Sequence, residues 1–396
     1  CGKENENKLS QIIECSIVPI NDNNNKEGNL SKILSDNSIL ALGESTHGAK
    51  EFYMFKKELI RNLIEDNDFK VIAVEMDFAQ GLMVNKFLNG DKYSLEELVR
   101  RFDFYMYSTK EFIDFIKMLK EYNQNCEKGK EVAFFGFDMQ NRKYITKNVI
   151  NFFSITDSTF LEEIKNQLVE IGNSGINPSG SMNVQVINSI AERMKNYKNK
   201  YLQDVSKKEF LLVERQVEIL LQAELYYSNG MIDEIRDEQM AKNILWIKEF
   251  CSDTTKMVLW AHNEHINKGT SKAGFMGLLE WNNMGYYLRS SIGEGYYALS
   301  LEFGTGTILA GSIQRKLQVF EIDNEFAFTK RLSSRDSEAL FLDFKNNCSF
   351  KDVKVNLHSI GGIYDSNEGN SVEVDLTDYY DGVYFVNEVS PISQFK

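Results

Sequence analysis

Residues 38–53 read SILALGESTHGAKEFY. The opening run SILAL is short, aliphatic and without the alternation of a half-wet strand, so it reads as a strand buried on both faces. A glutamate, a serine, a threonine and one of the chain's four histidines then fall between two glycines. After them, EFYMFKKELIRNLIEDN places apolar residues at the three- and four-residue spacing of an amphipathic helix. Strand, polar loop and helix in that order make the repeating unit of an α/β fold.

The same kind of run recurs outward from this stretch, as KVIAVEMD, EVAFFGFD, KMVLWAHN, YYALSLEF and GVYFVNEV. A second amphipathic helix, TKEFIDFIKMLKEYNQN, is followed shortly by Gly129. The fold expected is therefore α/β, with a largely parallel central sheet flanked by helices. The segment 143–250 contains no convincing strand and carries long helical patterns such as KKEFLLVERQVEILLQAELYYS and RDEQMAKNILWIKEF. It reads as a helical insertion that packs over the sheet edge, and 31–142 with 251–396 read as the α/β catalytic domain. Residues 1–30, polar and rich in asparagine (NDNNNKEGN), read as an N-terminal tether and the loop that leads into the fold.

With 396 residues, 42% of them apolar and only 3 prolines, the chain can bury a large core. A formal charge of −13 and the lack of a Lys/Arg cluster interleaved with aromatics argue against a nucleic-acid partner, since no basic face is available to displace counterions from phosphates. No apolar segment approaches the ~20 residues that span a bilayer. The opening CGKENENKLS resembles a processed bacterial lipoprotein. On that reading Cys1 carries the lipid, the lipid is the protein's contact with the membrane, and the location is extracytoplasmic. Cys15, Cys126, Cys251 and Cys348 are widely spaced with no CxxC, which indicates neither a zinc ribbon nor a disulfide scaffold.

In an open parallel sheet, ligands bind beyond the carboxyl ends of the strands. The first run ends in Glu44 and His47, the second in Glu75 and Asp77, the third in Asp138, the fourth in His262, Asn263 and His265, and the fifth in Glu302. If the strands are parallel, these groups share one crevice. Asp77 and Glu302 read as a cap or turn former, and His358 in NLHSIGG as structural. Three chemistries suit such a set. A neutral histidine oriented by a carboxylate can activate water. A serine nucleophile would use Ser45, but GESTH replaces the last glycine of the G-x-S-x-G elbow with histidine. A metal could be held by His47, His262, His265 and a carboxylate, without any HExxH-type spacing to support it.

At these residues the sequence resembles the erythromycin esterase family. The matching pieces are ALGESTHGAKEFY, VIAVEMD, FFGFDMQ, RDEQMAKNILW, WAHNEHI and YDGVYFVNEVSP, in family order over roughly residues 38–391. The resemblance implies a metal-independent hydrolase, without cofactor, acting on a small-molecule ester or lactone. It makes His47 the general base that activates water and Glu44 the carboxylate beside it. Glu75, Asp138, Arg236, His262 and His265 would line the same cleft, with the two histidines placing water or substrate and Arg236 stabilising the oxyanion. Many members carry an arginine about nine residues beyond the motif histidine, where this chain has Lys56. The family is also labelled succinoglycan biosynthesis-like, and antibiotic resistance is one role among its members. A metal-dependent hydrolase using the same histidines and a non-catalytic surface lipoprotein that binds a ligand are the alternatives.

Overall fold

A computed structural model describes residues 2–19, 26–90, 93–175, 182–273, 279–335, 337–348, 351–366 and 369–395. The strands are β1 (Ile17–Val18), β2 (Ile39–Leu42), β3 (Phe69–Asp77), β4 (Ala133–Asp138), β5 (Lys256–Trp260), β6 (Thr270–Ala273), β7 (Leu279–Asn282), β8 (Tyr296–Gly311), β9 (Leu317–Ile322), β10 (Ala339–Asp343), β11 (Lys354–His358), β12 (Ser371–Asp375) and β13 (Gly382–Val389). The central sheet runs β1-β10-β13-β8-β2-β5-β3-β4, and β9 pairs with β8.

From β13 to β4 every pairing is parallel. These strands are the apolar runs read from the sequence, and they confirm the α/β class. Their lack of alternation has a direct cause: all of β2 is buried, with Leu42 in register between Trp260 and Leu299. Strands β1, β9 and β10 are antiparallel additions.

The helix Lys50–Asp66 buries Phe52, Phe55, Lys56, Leu59, Ile60, Leu63 and Ile64 against the sheet, a stripe at helical spacing with one lysine inside it. Asp77 caps the helix Phe78–Leu88 by accepting from the backbone N–H groups of Ala79 and Gln80 at 3.1 and 3.3 Å. Between 143 and 251 the described residues form helices and no strand: Lys143–Thr156, Ser158–Ser174, Met182–Asn196, Lys198–Tyr201, Lys207–Ser228 and Asp233–Cys251. The last of these packs against β4 and β7.

The N-terminal region differs from the tether expected of residues 1–30. Gly2–Ser16 is a helix and Lys26–Leu34 another. Leu9, Ile12 and Ile13, spaced three and one apart, are buried on the body of the fold, so a short apolar stripe outweighs the polar composition around it. Cys1, the expected acylation site, lies outside the described residues. A second difference is a disulfide joining Cys15 to Cys348, 333 residues apart with Cα atoms 5.6 Å from each other. Because it closes a very long loop, replacing both cysteines by serine is expected to lower unfolding free energy by about 2–5 kcal/mol, read by denaturant titration of oxidised parent and variant.

Candidate active site

The loop between β2 and the helix Lys50–Asp66 is clamped by backbone contacts on every side. Ser45 N–H donates to Leu301 O at 3.1 Å, Ile360 N–H donates to Ser45 O at 2.8 Å, and Ile392 N–H donates to Gly48 O at 3.1 Å. Its two glycines are demanded by space. A Cβ on Gly43 would stand 2.0 Å from Asn263 Oδ1, and one on Gly48 would stand 2.1 Å from Leu309 O. Close approach of the Asn263 side chain at one glycine and of the Leu309 backbone at the other therefore fixes the position of Glu44 and His47.

Glu44 is buried, and its carboxylate has three partners. Oε1 lies 2.6 Å from His47 Nδ1, while Oε2 accepts from Lys56 Nζ at 2.5 Å and from Trp260 Nε1 at 2.8 Å. Burial pushes this carboxyl up, but Lys56 and the His47 contact outweigh it and hold the group below the usual carboxylate range. Lys56 is itself fully buried, and desolvation lowers its ammonium to about 8 against the pull of Glu44. Lysine here thus serves as a point charge on Glu44. His47 keeps partial exposure, and among the described residues its Nε2 has no partner.

A second buried group centres on Arg236, in the first turns of the helix Asp233–Cys251. Its Nη2 donates to Glu75 Oε1 at 2.7 Å and Asp138 Oδ2 at 2.8 Å, and its Nε donates to Asp138 Oδ1 at 3.3 Å. Nη1 is the nitrogen not committed to a carboxylate; it lies 2.9 Å from His265 Nε2. Glu75 sits where β3 loses register between Val74 and Asp77, and this irregularity aims its side chain into the cleft. Although burial raises Glu75, His265 and Arg236 hold it well below its ordinary range. The other nitrogen of His265, Nδ1, lies 2.6 Å from Asp237 Oδ1. Burial lowers His265, but Asp237 and Glu75 outweigh both burial and Arg236, so the imidazole is held protonated well above its usual range.

His262 lines the cleft with both ring nitrogens facing backbone N–H groups. Its Nδ1 lies 3.4 Å from the Glu264 N–H and its Nε2 3.2 Å from the Gly361 N–H. A neutral imidazole accepts at one nitrogen only, so one contact is a hydrogen bond and the opposite nitrogen carries the proton. Its own backbone N–H donates to Glu75 Oε2 at 2.9 Å. Burial is the main cause that drives His262 down to about 4 from 6.5. The sign follows: the folded protein takes up this proton less readily than the unfolded chain, so stability present above pH 6.5 is lost as pH falls toward 4. The His262→Asn variant is expected to lose about 3 kcal/mol less than the parent between pH 7 and pH 4 in urea titrations.

The ring centroids of His47 and His262 are 5.5 Å apart, and those of His262 and His265 6.5 Å. Together with Glu75 and Arg236 they line a polar cavity of about 340 Å³. A second cavity, of about 520 Å³, shares His47, Glu75, Arg236, Gly362 and Ile363 with the first and adds Asp138. Six of the seven expected site residues thus line one or both cavities, and the seventh, Glu44, stands behind His47. Glu302 and His358 lie elsewhere, bonded to each other at 3.1 Å in the core, where His358 stacks on Phe303. Ser45 is fully buried and its Oγ has no base beside it, which removes it as a nucleophile.

Among the described residues, the one group of three metal-ligating side chains with donor atoms within 4.8 Å of one another is Asp352, Asp375 and Asp378. None of them lines the cleft. The sequence reading missed two parts of the site. Asp237 adjoins Arg236 in DEIRDE, where an acidic run hides one buried acid among exposed and half-buried ones. The loop Ser359–Gly362 touches both His47 and His262 through Gly361, and the adjacent glycines after His358 were its signal.

Known proteins resemble this chain over most of its length. A sequence profile of the family Erythromycin esterase matches residues 64–389. Erythromycin esterase type II of Escherichia coli is 24% identical over 91% of this chain and 92% of that protein. The putative hydrolase YbfO of Bacillus subtilis (strain 168) is 22% identical over 91% of this chain and 86% of its own length. Among solved structures, a succinoglycan biosynthesis protein superposes with a TM-score of 0.77 at 20% identity over 99% of both chains. A mutant of erythromycin esterase EreC in its open conformation gives 0.71 at 16% identity, over 94% of this chain and 96% of that one. With the family profile spanning most of its length, this chain belongs to the erythromycin esterase family.

Proposed function

We propose that the chain is an esterase-type hydrolase that opens a carboxylic ester or lactone by direct attack of a water activated by His47. One observation carries the reading. Of the three histidines in the cleft, His47 alone combines a ring nitrogen bonded to a buried carboxylate with a second that has no hydrogen-bond contact among the described residues; both nitrogens of His265 face carboxylates, and both of His262 face backbone N–H groups. Glu44 fixes the proton on Nδ1 and leaves Nε2 to accept one from water. The hydroxide formed adds to the carbonyl carbon. Arg236 Nη1, the guanidinium nitrogen with no carboxylate on it, stabilises the oxyanion. Collapse breaks the acyl C–O bond, and the imidazolium returns its proton to the departing alkoxide, giving an acid and an alcohol.

Around His47, the carboxylates Glu44, Glu75, Asp138 and Asp237 are paired with the cations Lys56, Arg236 and His265, which keeps these buried charges compensated. His262 and His265 support the site, the His262 ring lying against the Gly361 N–H and the His265 imidazolium pairing with Glu75. The family's named esterases support the bond type, and the Cys15–Cys348 disulfide supports an oxidising, extracytoplasmic setting.

The test is a panel of carboxylic esters and lactones incubated with the parent and with His47→Ala, with and without a chelator. Turnover by the parent that ignores the chelator and disappears in the variant is expected. Activity that the chelator abolishes and a divalent metal restores would establish the metal-dependent alternative instead. Binding of an ester without turnover would make the protein a ligand receptor.

A further inference from the structure

The second lobe of the cleft is built unlike the first. Beyond the catalytic wall it is lined by Phe104, Tyr105, Met106, Leu317 and Ile363, and Arg315 stands among these apolar side chains. We propose that this lobe holds the rest of the substrate, an apolar segment that ends in an anionic group such as a carboxylate, phosphate or sulfate, and that Arg315 binds that group. The identity of the bond cleaved rests on the hydrolase reading above; the anion site does not.

Arg315 is an unspent cation. Arg236, on the same lobe, has its guanidinium paired with Glu75 and Asp138, whereas the side chain of Arg315, an exposed residue, has no hydrogen-bond or ion-pair partner among the described residues. Its backbone is also unusual. It lies on the turn that joins β8 to β9 with φ of 59°, a left-handed conformation that disfavours a long side chain and that asparagine or glycine would adopt more readily. The turn is closed around it, with Arg315 N–H donating to Ser312 O at 2.7 Å and Lys316 N–H to Ser312 Oγ at 3.3 Å. A left-handed arginine on a cavity wall suits a ligand contact.

The walls fit an apolar segment. Leu317 is 44% exposed and Ile363 46%, large side chains left open on the cleft rather than folded into the core. Ile363 pairs with Gly311 at the base of the turn, which ties the Arg315 hairpin to the loop whose Gly361 touches both His47 and His262. Charge gives the lobe a direction. Asp103 also lines it, with Oδ2 accepting from Gln80 and Asn141 at 2.5 and 2.6 Å, and this acid repels an anion from its own end. In a chain of net charge −13, the overall field does not attract an anionic ligand, so the local guanidinium decides.

The experiment compares two stable amides by calorimetry: the monoanilide of adipic acid, which is anionic, and hexananilide, its neutral counterpart. Proteins are the parent, Arg315→Ala, Arg315→Lys and Lys316→Ala. The anionic amide is expected to bind the parent about tenfold more tightly than the neutral one, the scale of a charge-assisted hydrogen-bond pair. Arg315→Ala erases that preference, Arg315→Lys keeps part of it and Lys316→Ala keeps it all. Equal binding of the two amides to the parent, or an equal loss in Lys316→Ala, overturns the proposal. Because no turnover is needed, failure of the hydrolase reading appears separately, as an absence of ester cleavage with the binding preference intact.

Discussion

Replacing His47 by alanine is expected to lower kcat by about 10²–10⁴-fold, the range of a lost general base. Stability should barely change, because Glu44 retains Lys56 at 2.5 Å and Trp260 at 2.8 Å when the imidazole is gone. The combination is diagnostic. A histidine that merely fills space would give a falling melting temperature in step with the lost rate. Steady-state kinetics on the best ester of the panel, beside thermal unfolding of the same preparations, checks both halves. Glu44→Gln provides the contrast: it removes the group that sets the His47 tautomer and also strands the fully buried Lys56 ammonium without its counter-charge.

Arg236→Met is expected to damage both properties at once. The rate should fall by about 10²–10³-fold, as for a lost oxyanion donor. Unfolding free energy should fall by about 3–5 kcal/mol, because Glu75 and Asp138 then remain buried with no guanidinium between them. The Glu75 carboxyl, now held well below its ordinary range by His265 and Arg236, would rise and begin to take up protons closer to neutrality. Arg236→Lys should recover part of the stability and little of the rate, since an ammonium cannot bridge two carboxylates and still present a donor in the same plane. Urea titrations at neutral and mildly acidic pH, with kcat measured on the same variants, decide these points. A variant that loses rate but keeps full stability would mean that the buried carboxylates do not depend on Arg236.

Much of this architecture was legible because burial leaves a direct trace in composition. Strands flanked on both sides lose their polar alternation, so β2, β3, β4, β5, β8 and β13 stand out as unbroken apolar runs, and the polar residues just past them mark the crevice. What burial does not mark was missed. β1 is two residues long and β10 is a short edge-side strand whose first two residues are only partly buried, so neither rises above its surroundings. The helix Gly2–Ser16 rests on Leu9, Ile12 and Ile13, too few apolar residues to show against ENENK. The disulfide joins cysteines whose proximity depends on the whole fold, a relation no local pattern carries. In the site, residue types and strand ends were readable, but their division of labour was not. His47, His262 and His265 look equivalent in sequence, and only their surroundings separate an imidazole with one open nitrogen from two whose nitrogens both face protein groups.

The claim on which the mechanism turns is that water attacks the carbonyl directly, with no bond between protein and substrate. A single turnover of the best ester in ¹⁸O-labelled water, quenched at intervals and followed by mass spectrometry of acid, alcohol and intact protein, examines it in one measurement. One heavy oxygen in the acid, an unlabelled alcohol and a protein mass constant at every interval is the predicted result. A transient acyl-protein adduct, label in the alcohol, or unlabelled acid with heavy oxygen left in the protein would contradict it.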